Sequence, residues 1–200
     1  MKCLRQIPLV VLFVVIGYVV PVWAVSVSVD LDPGSLGIQG TATVTPGSTL
    51  VIDVVVEDLV PSSPLNAFEF DMDFDPTILD ATNIATGEFL LPPSLVVETN
   101  ILLPDINFAE VTLLATGASG SGVLATVTFD VVGLGMSTLD LNDVILSAPF
   151  GVAIMTDVSD GKVISNNVNV IPEPASALLW ASGLLGLIFT RELVKRISGR

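Results

Sequence analysis

Histidine is absent from the 200 residues, cysteine occurs once, and seven lysines and arginines face 21 aspartates and glutamates. The shortage is sharper inside the chain. Lys2 and Arg5 stand at one end and Arg191, Lys195, Arg196 and Arg200 at the other, so Lys162 is the one cation between residues 25 and 170. Nineteen of the 21 acids lie in that stretch (Glu173 and Glu192 are the other two), giving it a net charge of −18 against −14 for the whole chain. Without His or Cys there can be no Ser-His-Asp triad, no Cys-His pair and no His-ligated zinc in this stretch. Without Arg or a glycine-rich phosphate loop, nothing clamps a phosphate. A surface this negative repels nucleic acid and anionic lipid headgroups, and attracts divalent cations or basic partners. Cys3 is the sole thiol, so the stretch forms no disulfide even where the compartment would permit one.

A pair of carboxylates could still hydrolyse a glycoside, but such enzymes need a sugar cleft. The tryptophans and the tyrosine that would line one, Trp23, Trp180 and Tyr18, all fall outside residues 25–170. The stretch therefore reads as non-catalytic. Its aromatics are Phe68, Phe70, Phe74, Phe89, Phe108, Phe129 and Phe150. Most sit at inward strand positions, which disfavours glycan binding by stacking and leaves polar or calcium-bridged binding open.

Both ends carry apolar blocks. Lys2 and Arg5 precede an apolar run from Ile7 to Val20, and Pro21-Val22-Trp23-Ala24 closes it with small residues at the signal-peptidase positions. Residues 1–24 are expected to form a signal helix cleaved after Ala24; the alternative is an uncleaved anchor. Near the other end, residues 175–190 would form a helix about 24 Å long, shorter than the roughly 30 Å bilayer core. Arg191, Lys195, Arg196 and Arg200 follow it as a basic stop. Basic residues stay cytoplasmic, so the acidic stretch faces outward, in agreement with a secretory signal.

Residues 25–170 read as all-β. Val25-Ser26-Val27-Ser28-Val29-Asp30-Leu31 alternates with period two. Further strands are expected at 41–44, 50–57, 67–74, 78–84, 107–115, 123–132, 138–146 and 162–170. Turn residues separate them, including Asp32-Pro33-Gly34, Pro46-Gly47-Ser48 and Asp160-Gly161, and Gly117 to Gly122 is expected to be a flexible loop. About nine strands without an amphipathic helix predict one jelly-roll β-sandwich. The densest acidic run is Glu69-Phe70-Asp71-Met72-Asp73-Phe74-Asp75. With residues 68, 70, 72 and 74 inward, Asp71, Asp73 and Asp75 fall on the opposite face about 7 Å apart, a candidate calcium position. An EF-hand is excluded because Pro76 follows and no closing Glu does. The last strand must end at Pro172-Glu173-Pro174, since proline cannot join the ladder.

Two resemblances follow. Pro172-Glu173-Pro174, the Ala175-Ser176-Ala177 start, the apolar helix ending in Phe189 and the basic stop resemble the PEP-CTERM sorting signal of Gram-negative bacteria that make extracellular polysaccharide. This implies that residues 171–200 are a sorting tail recognised by a membrane-embedded exosortase. It also implies export through the inner membrane, transient anchoring there by the C-terminal transmembrane helix with the domain facing the periplasm, and then delivery to the outer envelope or the medium. The region 25–170 is similar to cohesin-type modules. Pro46-Gly47-Ser48 precedes the strand Leu50–Val56, Phe74-Asp75-Pro76-Thr77-Ile78-Leu79 closes another, and Gly122-Val123-Leu124-Ala125-Thr126-Val127-Thr128-Phe129 forms a third. That likeness implies a nine-stranded jelly roll and a binding or scaffolding role; taken with the sorting signal, it points to a protein-binding module linked to exopolysaccharide or biofilm, with a carbohydrate-binding module as the alternative.

Overall fold

A computed structural model describes residues 24–167, and these form a β-sandwich of two sheets. The signal sequence before Ala24, the Pro172-Glu173-Pro174 motif, the helix expected at 175–190 and the basic stop lie outside the described residues. Among the described residues there are twelve strands: β1 (Val25–Asp30), β2 (Thr41–Val44), β3 (Thr49–Leu59), β4 (Ala67–Asp73), β5 (Leu79–Thr86), β6 (Ser94–Leu102), β7 (Asp105–Thr112), β8 (Gly120–Val131), β9 (Gly135–Ala148), β10 (Val152–Ile154), β11 (Thr156–Ser159) and β12 (Gly161–Ser165). One sheet runs β11-β1-β3-β8-β5. The other runs β2-β12-β9-β4-β7-β6, and β10 adds to β9.

All nine expected strands occur, and β6, β10 and β11 add to them. The last described strand stops at Ser165 rather than continuing toward residue 170, and Gly120 to Gly122 belong to β8 instead of a flexible loop. The inner faces follow from period-two patterning. Val27 and Val29 of β1, Ile52, Val54 and Val56 of β3, and Val127, Phe129 and Val131 of β8 are buried from one side. Phe68, Phe70 and Met72 of β4 with Ile106 and Phe108 of β7 are buried from the other. Phe68, Phe70 and Phe108 form a trio with ring centroids 6.0–6.3 Å apart. Phe74 meets Phe129 edge to face at 5.2 Å.

Two phenylalanines break the inward rule. Phe89 is only half-buried, and Phe150 is fully exposed in the turn Pro149–Gly151 with a left-handed backbone (φ 66°).

Bulges shift the pattern within strands. Glu69 pairs with Ile145 but Asp71 with Asn142, so β9 carries one extra residue there, at which Asp143 adopts φ 47°. Leu139 and Leu141 face inward before the bulge, and Leu146 and Ala148 after it.

Candidate functional site

The outer face of the β9-β4-β7-β6 sheet divides into two halves. At the end where Asp73 closes β4, Asp73 pairs with Asp105 on β7 and with Asp140 on β9, placing three aspartates side by side on neighbouring strands. One step along, Asp71 pairs with Asn107 and Asn142. Asn107 donates from Nδ2 to Asp71 Oδ1 at 2.6 Å, and Asn142 Nδ2 donates to Asp73 Oδ2 at 2.9 Å. Asp73 is held above the usual carboxylate range, chiefly because it shares a hydrogen bond with Asp105, with partial burial and the Asp105 charge adding to it and the Asn142 amide opposing it.

The other half is apolar. Ala67, Val97, Ala109, Val111 and Ile145 line a cavity of about 180 Å³ together with Phe68, Glu69, Glu110 and Ser147. Val97 and Ile145 are both more than half exposed. An acidic patch beside an apolar hollow is suited to a partner with an apolar anchor and a basic flank.

Asp75 is not part of this face. β4 ends at Asp73, and the chain turns so that the Asp75 backbone N–H donates to Ser137 Oγ at 2.9 Å. Its Oδ1 accepts from Thr77 N at 2.9 Å and from Thr77 Oγ1 at 2.6 Å, which holds the carboxyl below its ordinary range. The structure therefore keeps Asp71 and Asp73 on one face and turns Asp75 into a local bend. Among the described residues no three acidic side chains converge as metal ligands would. Ala24, the expected cleavage residue, is exposed immediately before β1.

Sequence reasoning overlooked Glu110. It occupies an inward position of β7 opposite Phe68, is 2 % exposed, and neither carboxyl oxygen has a hydrogen-bond partner. Burial raises its pKa, and the nearby Ser94 side chain offsets only part of that. A folded-state pKa above the unfolded one gives stability that is complete below the unfolded value and lost as pH rises through the folded value. Neutral Glu110→Gln should therefore match the parent near pH 4 and exceed it near pH 7 by about 1–2 kcal/mol. Urea unfolding of the full chain at both pH values measures the difference. An equal gain at both would mean that the carboxyl's ionisation is not penalised.

A cohesin-domain family model matches residues 35–170, more than half of the chain. No curated protein matches it. Among solved structures, a non-cellulosomal cohesin from the archaeon Archaeoglobus fulgidus aligns at 16 % identity with TM-score 0.59, covering 74 % of this chain and 94 % of that one. The seventh ScaB type I cohesin from Pseudobacteroides cellulosolvens gives 15 % identity and TM-score 0.59, over 75 % and 97 % of the two chains. The cohesin of a type I cohesin–dockerin complex from Clostridium thermocellum gives 12 % and 0.56, over 70 % and 99 %. At these identities the structures speak for the fold, and the family match carries the assignment. Cohesins are non-catalytic scaffold modules, in keeping with the chemistry missing from residues 25–170. The chain belongs to the cohesin-domain family.

Proposed function

We propose that this chain is an exported, non-catalytic scaffold module whose β9-β4-β7-β6 face binds a dockerin-bearing protein. The observation that carries this reading is the pairing of the apolar hollow around Ile145 and Val97 with the Asp73, Asp105 and Asp140 row. Several similar solved cohesins are in complex with dockerins. A domain with 19 acids and one cation between residues 25 and 170 selects a partner whose docking surface is basic, because like charge across an interface costs several kcal/mol.

Export is supported by the charged start, apolar run and Ala24 exit, and by the basic stop after residues 175–190. Pro172-Glu173-Pro174 before that block supports sorting by an exosortase, with the module delivered to an envelope or extracellular matrix that contains exopolysaccharide.

The full chain is immobilised and challenged with an envelope extract, and retained proteins are sequenced. The parent should hold a dockerin-bearing protein. Ile145→Asp, which puts a charge in the apolar hollow, should weaken that complex about thirtyfold, the loss typical of a central anchor. Asp73→Asn should weaken it less, and mainly at low salt. Unchanged binding by both variants would remove the face from the reading.

A further inference from the structure

A groove of about 870 Å³ lies on the opposite side of the sandwich, on the outer face of the five-stranded sheet. Asp53 of β3 and Thr126 of β8 lie on this face, paired in register between the inward residues Ile52 and Val54 on one strand and Ala125 and Val127 on the other. One wall is the segment after β5, from Gly87 to Leu91. The other is the segment leading into β8, from Gly117 to Ser121.

Both walls are fixed by backbone contacts. Gly87 N–H donates to Leu124 O at 2.8 Å and Phe89 N–H to Val123 O at 3.1 Å, strapping the first wall to β8 where that strand bulges at Leu124. Gly122 lets the Phe89 ring lie against the strand, since a Cβ there would stand 2.6 Å from the ring Cδ2. On the other side Ala118 and Leu65 exchange both backbone hydrogen bonds, at 2.6 and 2.8 Å. The groove is therefore pre-formed, so a ligand need not order it.

Its chemistry is mixed. Phe89 and Leu91 give an apolar side. Ser119, Ser121 and Thr86 supply hydroxyls, and Ser121 Oγ already accepts from Asp58 N–H at 3.1 Å, which leaves its O–H to donate. Asp53 Oδ1 accepts from Thr126 Oγ1 at 2.6 Å, which orients the carboxylate while lone pairs stay free. No cation lines the groove, so an anionic ligand would meet Asp53 and Glu88 unpaired.

We propose that this groove is a second binding site, for a neutral oligosaccharide, with sugar hydroxyls donating to Asp53 and a pyranose C–H face lying against Phe89. A sugar ring offers an apolar face and a hydroxyl edge at once, which matches a groove with one apolar and one polar side. A basic peptide would satisfy the carboxylates but leave the hydroxyl wall and the ring without a specific role.

The test titrates the full chain, in a detergent without a sugar headgroup, against neutral hexasaccharides of glucose and of mannose, a galacturonate hexamer and hexalysine. At least one neutral hexasaccharide should bind with Kd below about 1 mM, with no loss on raising salt. Asp53→Asn and Gly122→Ala should each weaken it about tenfold, the first by removing a charge-assisted acceptor and the second by displacing the Phe89 ring. Asp71→Asn on the other sheet should leave it unchanged. Should Gly122→Ala fail to fold, Asp53→Asn alone decides. The proposal is overturned if no neutral sugar binds, if binding is indifferent to the variants that fold, or if hexalysine or the galacturonate alone binds.

Discussion

Phe129→Ala should lower the unfolding free energy by about 4 kcal/mol, within the range for truncating a fully buried phenylalanine. The side chain has no exposed surface. It stands near the C-terminal end of β8, the strand with the most extensive pairing in its sheet, opposite Leu50 on β3 and Ala81 on β5. Its ring also meets Phe74 edge to face at 5.2 Å, and Phe74 comes from the other sheet's β4 end, so one truncation loosens both layers. Strands on both sides hold the backbone, so the hole cannot collapse and the cavity cost adds to the lost burial. For a domain of this size the melting temperature should fall by roughly 10 °C. Phe150→Ala is the matched control. That ring is fully exposed on a left-handed backbone, so its removal should change stability by less than about 0.5 kcal/mol. Urea unfolding of both variants, with the slope checked for constancy, gives the comparison. Similar losses at the two positions would mean that the described core is misassigned.

The contrast shows where sequence patterning carries information and where it stops. In β1, β3, β4 and β8 the alternation of Val, Ile and Phe with polar residues reports directly which side is buried, and the nine expected strands follow from it. Strand β6 escapes for a physical reason. Val96 pairs with Glu110 and Glu98 with Ala109, so Val97 is an extra residue that shifts the alternation midway, and the strand lies at a sheet edge with little buried surface. β10 and β11 are short and almost wholly exposed, so neither has a buried face for the pattern to report.

The candidate face was half legible. Counting by twos from Phe68 places Asp71 and Asp73 outward, as observed, but carries the count through Asp75, where the chain has already turned toward Ser137. The cross-strand row of Asp73 with Asp105 and Asp140 could not be read, because registers between distant strands are set by bulges such as the one at Asp143. Glu110 is hard to read from sequence because a carboxylate ordinarily faces water. The signal that could have found it is Ile106, Phe108 and Glu110 in one alternating set.

Gly87→Ala tests the second site's foundation, and its expected loss is about 3 kcal/mol. Most glycine substitutions are judged by backbone conformation, but Gly87 has no positive φ that would demand glycine. Space is the constraint. A Cβ at this position would stand 2.0 Å from Val123 O and 2.5 Å from Val123 C, both backbone atoms of a strand pinned between β3 and β5. Backbone cannot swing aside as a flexible side chain does, so the segment after β5 must lift off β8. Lifting breaks the Gly87 to Leu124 and Phe89 to Val123 hydrogen bonds and carries the Phe89 ring away from Gly122. Gly47→Ala separates the two kinds of cost. That residue has φ 85° and nothing within 4 Å of the added methyl, so only backbone strain of about 1 kcal/mol should appear. The ratio of the two losses is the readout, and hydrogen exchange locates the damage. Protection should fall at residues 87 to 91 and 122 to 124 in Gly87→Ala while the Phe68, Phe70 and Phe108 trio keeps its own. If Gly87→Ala costs no more than Gly47→Ala, the first wall of the groove is not strapped to β8, and a pre-formed sugar site on that face loses its physical basis.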